Sequence, residues 1–293
     1  MEKYIIFQSN NTPSIDIAGT AVVKAIHKQY PDRKIIVTTN FPEIWLHNPN
    51  VYRVYRLDQT PYFYSDFVEN KDSLIFAHDP TKEKDYVNKE KHIIETWCDM
   101  CGVKYNGELP SLHFTQRESE VSERLTKSDR PLFFIQPFEM FGPTDTNGWC
   151  WPKNIPVLLV GEIVRKMTQA GYLPVLIKNQ NQPSIMGATN LQLNLRQTLA
   201  ALQFSQKNLF IDSFLQAASV AVGKSSIVTW LSTNPKNNGY ELNDNLIMKV
   251  DENLKESIDS YNPVFDFDNR IINKPVDTDQ AFSSEEILNA LLK

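Results

Sequence analysis

Two short stretches carry residue types at spacings that suit chemistry on a phosphate or a hydroxyl group. The first is Leu209 to Tyr240, LFIDSFLQAASVAVGKSSIVTWLSTNPKNNGY. Leu209-Phe210-Ile211 reads as a buried strand, too brief for a helix. Asp212 and Ser213 stand where it ends, and both types favour a helix N-cap because a side-chain oxygen accepts orphan N–H groups of the next turn. A helix start at the carboxyl end of a parallel strand presents N–H groups and a positive dipole end to phosphate. The plainer reading of the pair is a cap alone. The second stretch is Ser14-Ile15-Asp16-Ile17, with a carboxylate in the first turn of an apolar helix. Asp16 there either favours the helix dipole, worth about 0.3–1 kcal/mol, or serves as a proton acceptor.

These residues need elements to hold them. Ala217, Ala218, Ser219 and Ala221 let the helix after Ser213 lie close to a sheet, and Gly223 stops it. Ser226 to Leu231 then gives a second strand, with Asn234-Pro235-Lys236 as a loop at its carboxyl end. Before Asp16 runs a strand from Tyr4 to Gln8. After it, Ile17, Ala18, Ala21, Val22, Ala25 and Ile26 repeat at helical spacing up to Tyr30. Strands at 34–39, 51–57 and 73–77 follow, the last ending at His78-Asp79-Pro80, and a helix spans 92–102. A charged segment, 116–127, reads as a surface helix or linker. The alternation restarts with a strand at 131–136, a helix at 155–170, a strand at 173–178 and a helix at 196–205. Ser283-Ser284-Glu285-Glu286 caps a last helix to Leu292. Such β–α–β alternation implies parallel sheets, in two halves, 1–128 and 129–293, with the junction near Asp129.

At 293 residues the chain has length for two domains of ordinary size. Its 41% hydrophobic and 22% charged content is that of a soluble globular protein. No apolar run approaches the ~20 residues of a membrane span, and the amino terminus enters a strand rather than a signal peptide. A net charge of −5 disfavours nucleic acid as a partner without excluding it. Three cysteines and no export signal fit a reducing, cytoplasmic setting. Cys98 and Cys101 form a lone C-x-x-C; without a second pair, helical packing explains them better than metal binding.

The 209–240 stretch resembles glycosyltransferase family nine, which includes the ADP-heptose:lipopolysaccharide heptosyltransferases. Asp212, Ser213, Ala221 and Gly223 fall in step with its D-S/T-G-x-x-H-x-A-x-A-x-G signature. Phe214 stands in place of the Gly, Ala217 in place of the His, and Ser219 in place of the first alanine of that signature. Ser14-Ile15-Asp16-Ile17 matches the Asp of the family's G-D pair, with Ile15 in place of the Gly. Trp151-Pro152 matches its W-P, but Trp149 and Cys150 replace the preceding basic residue. The resemblance implies a GT-B fold: two doubly wound Rossmann-like domains facing each other across a cleft, with a terminal helix that often packs back on the first.

It further implies inverting transfer of a sugar from a nucleotide diphosphate donor to an acceptor hydroxyl, with Asp16 as general base and no metal. Donor binding falls to Asp212, Ser213, Phe214, Gln216, Trp151, Gln182, Leu193, Asn234 and Lys236. Asn11 and His78 lie on the acceptor side, as does the Pro61–Tyr64 run. Of Lys153, Lys178, Lys224 and Lys236, which can replace the missing charge, Lys236 is best placed, in the Asn234-Pro235-Lys236 loop, while Lys153 and Lys224 read as solvated surface lysines. Asp266 and Asp268 fall in a segment of little periodicity and suggest no metal site. The acceptor is a glycan or another hydroxyl compound. Two alternatives remain: a degenerate relative that binds without catalysis, and a sugar-nucleotide epimerase, for which no acid/base carboxylate pair is evident.

Overall fold

In a parallel sheet the strands are covered on both faces, so they read as continuous apolar runs rather than alternating ones. The computed structural model bears this out in two sheets, and describes residues 1–9, 12–142, 144–145, 147–191, 193–248 and 281–293. The chain divides into two units, Met1–Gln116 and Arg117–Lys293. The division precedes the expected junction near Asp129: most of the charged helix belongs to the second unit, where Glu118 pairs with Arg196 at 2.7 Å.

The first unit runs β1 (Lys3–Ser9), α1 (Pro13–Gln29), β2 (Lys34–Thr39), α2 (Pro42–Trp45), β3 (Arg53–Arg56), α3 (Phe63–Phe67), β4 (Asp72–Phe76), α4 (Lys84–Val87) and α5 (Ile93–Met100). Its four strands are parallel in the order β3-β2-β1-β4. Central β1 is buried through Tyr4, Ile5, Ile6 and Phe7. Pro13 sits in the first turn of α1, where its fixed φ suits a helix start, and the Thr12 side chain makes no cap. The helix packs on β1, β2 and α5. Gly19 permits the approach: a Cβ there would meet the Trp97 ring at 3.2 Å and the Trp45 ring at 3.3 Å.

The second unit contains α6 (Gln116–Leu125), β5 (Leu132–Gln136), α7 (Val157–Gln169), β6 (Leu173–Leu176), β7 (Thr189–Asn190), α8 (Leu195–Ala201), β8 (Lys207–Ile211), α9 (Phe214–Ala221), β9 (Ile227–Trp230), α10 (Pro235–Asn238), β10 (Asp244–Ile247) and α11 (Ser284–Leu292). Its sheet is also parallel, in the order β10-β9-β8-β5-β6-β7. The crossovers β5 to β6 and β8 to β9 travel in opposite directions, and the right-handed rule for parallel crossovers puts α7 and α9 on opposite faces. Helix α11, for which the resemblance implies a return to the first half, contributes Ile287 and Leu291 to the second unit's own core beside α7, β8 and β9. The Ser283 side chain caps it through the Glu286 N–H. The short elements α3, α4, β7 and β10 are not foreseen in the sequence.

Candidate functional site

Ligands of open parallel sheets lie at the carboxyl ends of the strands, where the strand order reverses. That point falls between β1 and β4 in the first sheet and between β5 and β8 in the second. Asp16 follows β1 and Asp212 and Ser213 follow β8, at these two edges.

In the first unit, Asp16 is fully buried on α1. Its Oδ2 accepts the Thr39 hydroxyl at 2.7 Å and its Oδ1 the Trp45 indole N–H at 3.1 Å. Thr39 Oγ1 in turn accepts the Phe41 N–H at 2.9 Å. Burial pushes the Asp16 carboxyl up to about 7, against hydrogen bonds from Thr39 and Trp45 that favour the charged form. Glu43 adds like charge, tempered by its own pairing with Arg56 at 3.2 Å. A carboxyl that titrates near neutrality suits a proton acceptor. His78 follows β4 at the same edge, its ring tilted against Phe76 at 6.4 Å. Tyr62 and Tyr64 are exposed, whereas Phe63 joins Tyr55 and Phe67 in an aromatic cluster. Asn11, Asp266 and Asp268 lie outside the described residues.

In the second unit the loops after β5 and β8 converge on one lysine. Lys153 Nζ lies 2.9 Å from Glu139 Oε2 and 3.9 Å from Asp212 Oδ2. Glu139 Oε1 accepts the successive N–H groups of Met140, Phe141 and Gly142 at 2.9–3.0 Å. The Glu139 N–H donates to Asn154 Oδ1 at 2.7 Å. Burial works against charge on all three groups. For Glu139 the opposing pull of Lys153 and the backbone N–H groups wins, and its carboxyl stays below the ordinary value. For Asp212 burial wins over Lys153 and the Thr233 hydroxyl, and its carboxyl is raised. Lys153 is held as ammonium by the two carboxylates, and its side chain keeps 22% exposure. The reading of Lys153 as a solvated surface lysine is therefore corrected: it is the partly open cation at the strand-order reversal. Neither its spacing nor its neighbours in sequence distinguish it from the other lysines, and nothing in the sequence marks Glu139.

The remaining donor candidates divide by how their polar atoms are used. The Ser213 hydroxyl donates to Gln136 Oε1 and accepts the Leu215 N–H at 3.3 Å, so cap and strand end consume it. Gln216 donates to the Asn238 carbonyl at 2.8 Å and accepts from Asn243 Nδ2 at 3.1 Å, a strut between α9 and the chain after α10. Gln182 donates to the Glu139 carbonyl and accepts the Asn179 N–H, tying the loop after β6 to that after β5. Lys178 closes the same turn through the Gln182 carbonyl at 2.9 Å. Trp151, expected among the donor-binding residues, is 1% exposed and packs in the interior with no open ring face. Phe214 is likewise buried, edge-on beneath Phe141 at 5.4 Å, and the Phe141 ring is 44% exposed. Phe141 is the aromatic at this edge that sequence reasoning missed. Asn234 caps α10 through the Lys236 N–H at 2.9 Å, and the Lys236 side chain is exposed. Leu193 is half-buried in the segment between β7 and α8. Lys224 donates to the Ser205 carbonyl at 3.0 Å, at the amino-terminal end of the sheet.

Cys98, Cys101 and Cys150 are free and buried, and burial pushes each thiol up to about 12. Among the described residues no group of three or more His, Cys, Asp or Glu is arranged to hold a metal ion, and no helix is long and apolar enough to cross a membrane.

No protein-family model and no curated protein matches this sequence. Solved structures do. A family 9 glycosyl transferase from Veillonella parvula superposes with a TM-score of 0.69 at 11% identity, over 99% of this chain and 96% of that one. The E. coli ADP-heptose lipopolysaccharide heptosyltransferase II gives 0.64 at 13% identity, over 99% and 98%. The iron-containing dodecameric glycosyltransferase TibC from enterotoxigenic E. coli gives 0.66 at 11% identity, over 100% and 78%. At such identities the chain shares with these proteins their fold, the mixed α/β GT-B type with two parallel sheets.

Proposed function

We propose that this protein is an inverting glycosyltransferase that moves a sugar from a nucleotide diphosphate donor to an acceptor hydroxyl. The reading follows the fold it shares with heptosyltransferases. One observation carries the mechanism: Asp16 is a buried carboxyl that titrates near neutrality at the strand-order reversal of the first sheet. In this mechanism the acceptor oxygen attacks the anomeric carbon opposite the departing diphosphate, and Asp16 takes the hydroxyl proton. Because Asp16 is fully covered, its cover opens for the acceptor to reach it. Lys153, steadied by Glu139, meets the charge that develops on the leaving diphosphate, and the first turn of α9 adds its dipole. A lysine serves here as a point charge. The nucleotide sugar is a co-substrate, and the donor is of the ADP-heptose kind bound by one of these neighbours.

A second reading, binding without catalysis, draws on Phe214, which stands in place of the family's Gly and packs edge-on against Phe141. One experiment separates the two. A panel of nucleotide sugars is scored for thermal stabilisation and for hydrolysis or transfer by the wild-type chain and by Asp16→Asn. The transferase reading expects stabilisation of both proteins and turnover by wild type alone. Stabilisation without turnover in either supports the binding module, and equal turnover in both removes Asp16 from the mechanism.

A further inference from the structure

The groups around Asp16 form a designed enclosure rather than a generic core. Both carboxylate oxygens are occupied, one by a hydroxyl at the end of β2 and the other by an indole N–H at the end of α2. We propose that Trp45 and Thr39 are positioning residues for Asp16, fixing its carboxylate and supplying the donors that its ionised form requires. The inference rests on the reading of Asp16 as the base.

Three features support it. Trp45 is 1% exposed, yet its N–H spends its hydrogen bond on Asp16 rather than on a backbone carbonyl. Gly19, one turn along from Asp16, leaves the space that the Trp45 ring fills; any side chain there would push against it at 3.3 Å. Thr39 is fixed in turn, because its oxygen accepts the Phe41 N–H and its single proton is thereby directed at Asp16. The charged group acting on the carboxylate is Glu43 of α2, which Arg56 of β3 partly neutralises. Arg56 is spent on Glu43 and does not contact Asp16, so stabilisation of the ionised form falls to the neutral donors. Losing one raises the pKa of a buried carboxyl, since charge-assisted hydrogen bonds in a low-dielectric site are the stronger kind.

The test uses the full chain and three variants: Trp45→Phe, which keeps a ring and removes the N–H; Thr39→Val, which keeps shape and removes the hydroxyl; and Thr39→Ser, which restores it. For Phe and Val we expect the acid limb of the pH–rate profile to move up by about one pH unit, an order of tenfold loss at pH 6. Activity recovers towards pH 9, donor KM is unchanged, and Thr39→Ser stays near wild type. A loss that is equal at every pH, or one confined to donor KM, overturns the inference. Should Trp45→Phe fail to fold, the Val and Ser pair carries the test alone. A second readout needs no activity: carboxyl 13C titration by NMR, with the Asp16 signal assigned by its absence in Asp16→Asn. If that titration moves in the variants while Asp16→Asn still transfers sugar, the base reading fails and the positioning stands. If it does not move, the positioning role falls whatever the kinetics.

Discussion

Replacing Asp16 with Asn should change not only activity but the way folding stability depends on pH. A carboxyl raised from its ordinary 3.8 to about 7 is protonated in the folded chain over a range where the unfolded chain has released its proton. The folded state therefore binds more protons between about pH 4 and 7, and stability falls as pH rises through that window. The slope reaches roughly 1.4 kcal/mol per pH unit, and the whole window amounts to about 4 kcal/mol. Asn has no such slope. Its amide oxygen still accepts from Thr39 or Trp45 but not well from both, which leaves a buried donor unpaired at a pH-independent cost of about 1–3 kcal/mol. The variant should thus be the less stable protein near pH 4.5 and the equal or more stable one at pH 8. Urea unfolding followed by tryptophan fluorescence across that range measures the difference, from which other titrating groups cancel. A difference that stays flat with pH would show that Asp16 does not titrate in this window, and the argument for a neutral-range base would go with it.

Other consequences follow from the second unit and the core. Lys153→Met should abolish nucleotide-diphosphate affinity, measured by calorimetry, and cost about 3 kcal/mol of stability by leaving Glu139 and Asp212 without their cation; adding Glu139→Gln should restore stability but not binding. Ser213→Ala removes the α9 cap and strands Gln136 Oε1 in the interior, a loss of about 2–3 kcal/mol seen in the urea midpoint. Native protein should react with a thiol reagent far more slowly than the urea-unfolded chain, because all three cysteines are buried as thiols.

The architecture was legible because parallel strands advertise themselves as apolar runs. Lys34–Thr39 is the strand the sequence predicts, and Lys3–Ser9, Leu132–Gln136 and Ile227–Trp230 fall within one or two residues of expectation. The missed elements are those whose apolar signal is short or split. Asp244–Ile247 has four residues and an exposed Ile247. Thr189–Asn190 has only two, both exposed. Asp16 and Asp212 were visible because each stands at a strand-to-helix turn, a place that local sequence marks. The two compact units divide at 116/117 and not near 129, because a polar helix such as 116–125 looks like a linker until Arg196, far along the chain, is seen to hold it.

What was not legible is which polar side chains are already spent. Ser213, Gln216 and Gln182 have the right chemistry for a ligand, and sequence cannot reveal that Gln136, Asn238 and the Glu139 carbonyl consume it. Lys153 shows the converse. A lysine after Trp-Pro looks like any surface lysine until the loops after β5 and β8 converge on it. Its partners stand at 139 and 212, separations that no local pattern encodes. The two residues also answer the loss of the basic residue before Trp-Pro. A cation after the turn, anchored by a glutamate that three backbone N–H groups hold in place, restores positive charge to the same edge. On the proposed transferase reading, the departure from the family pattern at one position goes together with Glu139 and Lys153, as a charge relocated along the loop rather than deleted from the site. Glu139→Gln alone tests this. If Lys153 owes its placement to that carboxylate, donor affinity should fall while Lys153 itself is untouched; unchanged affinity would leave the relocation without support.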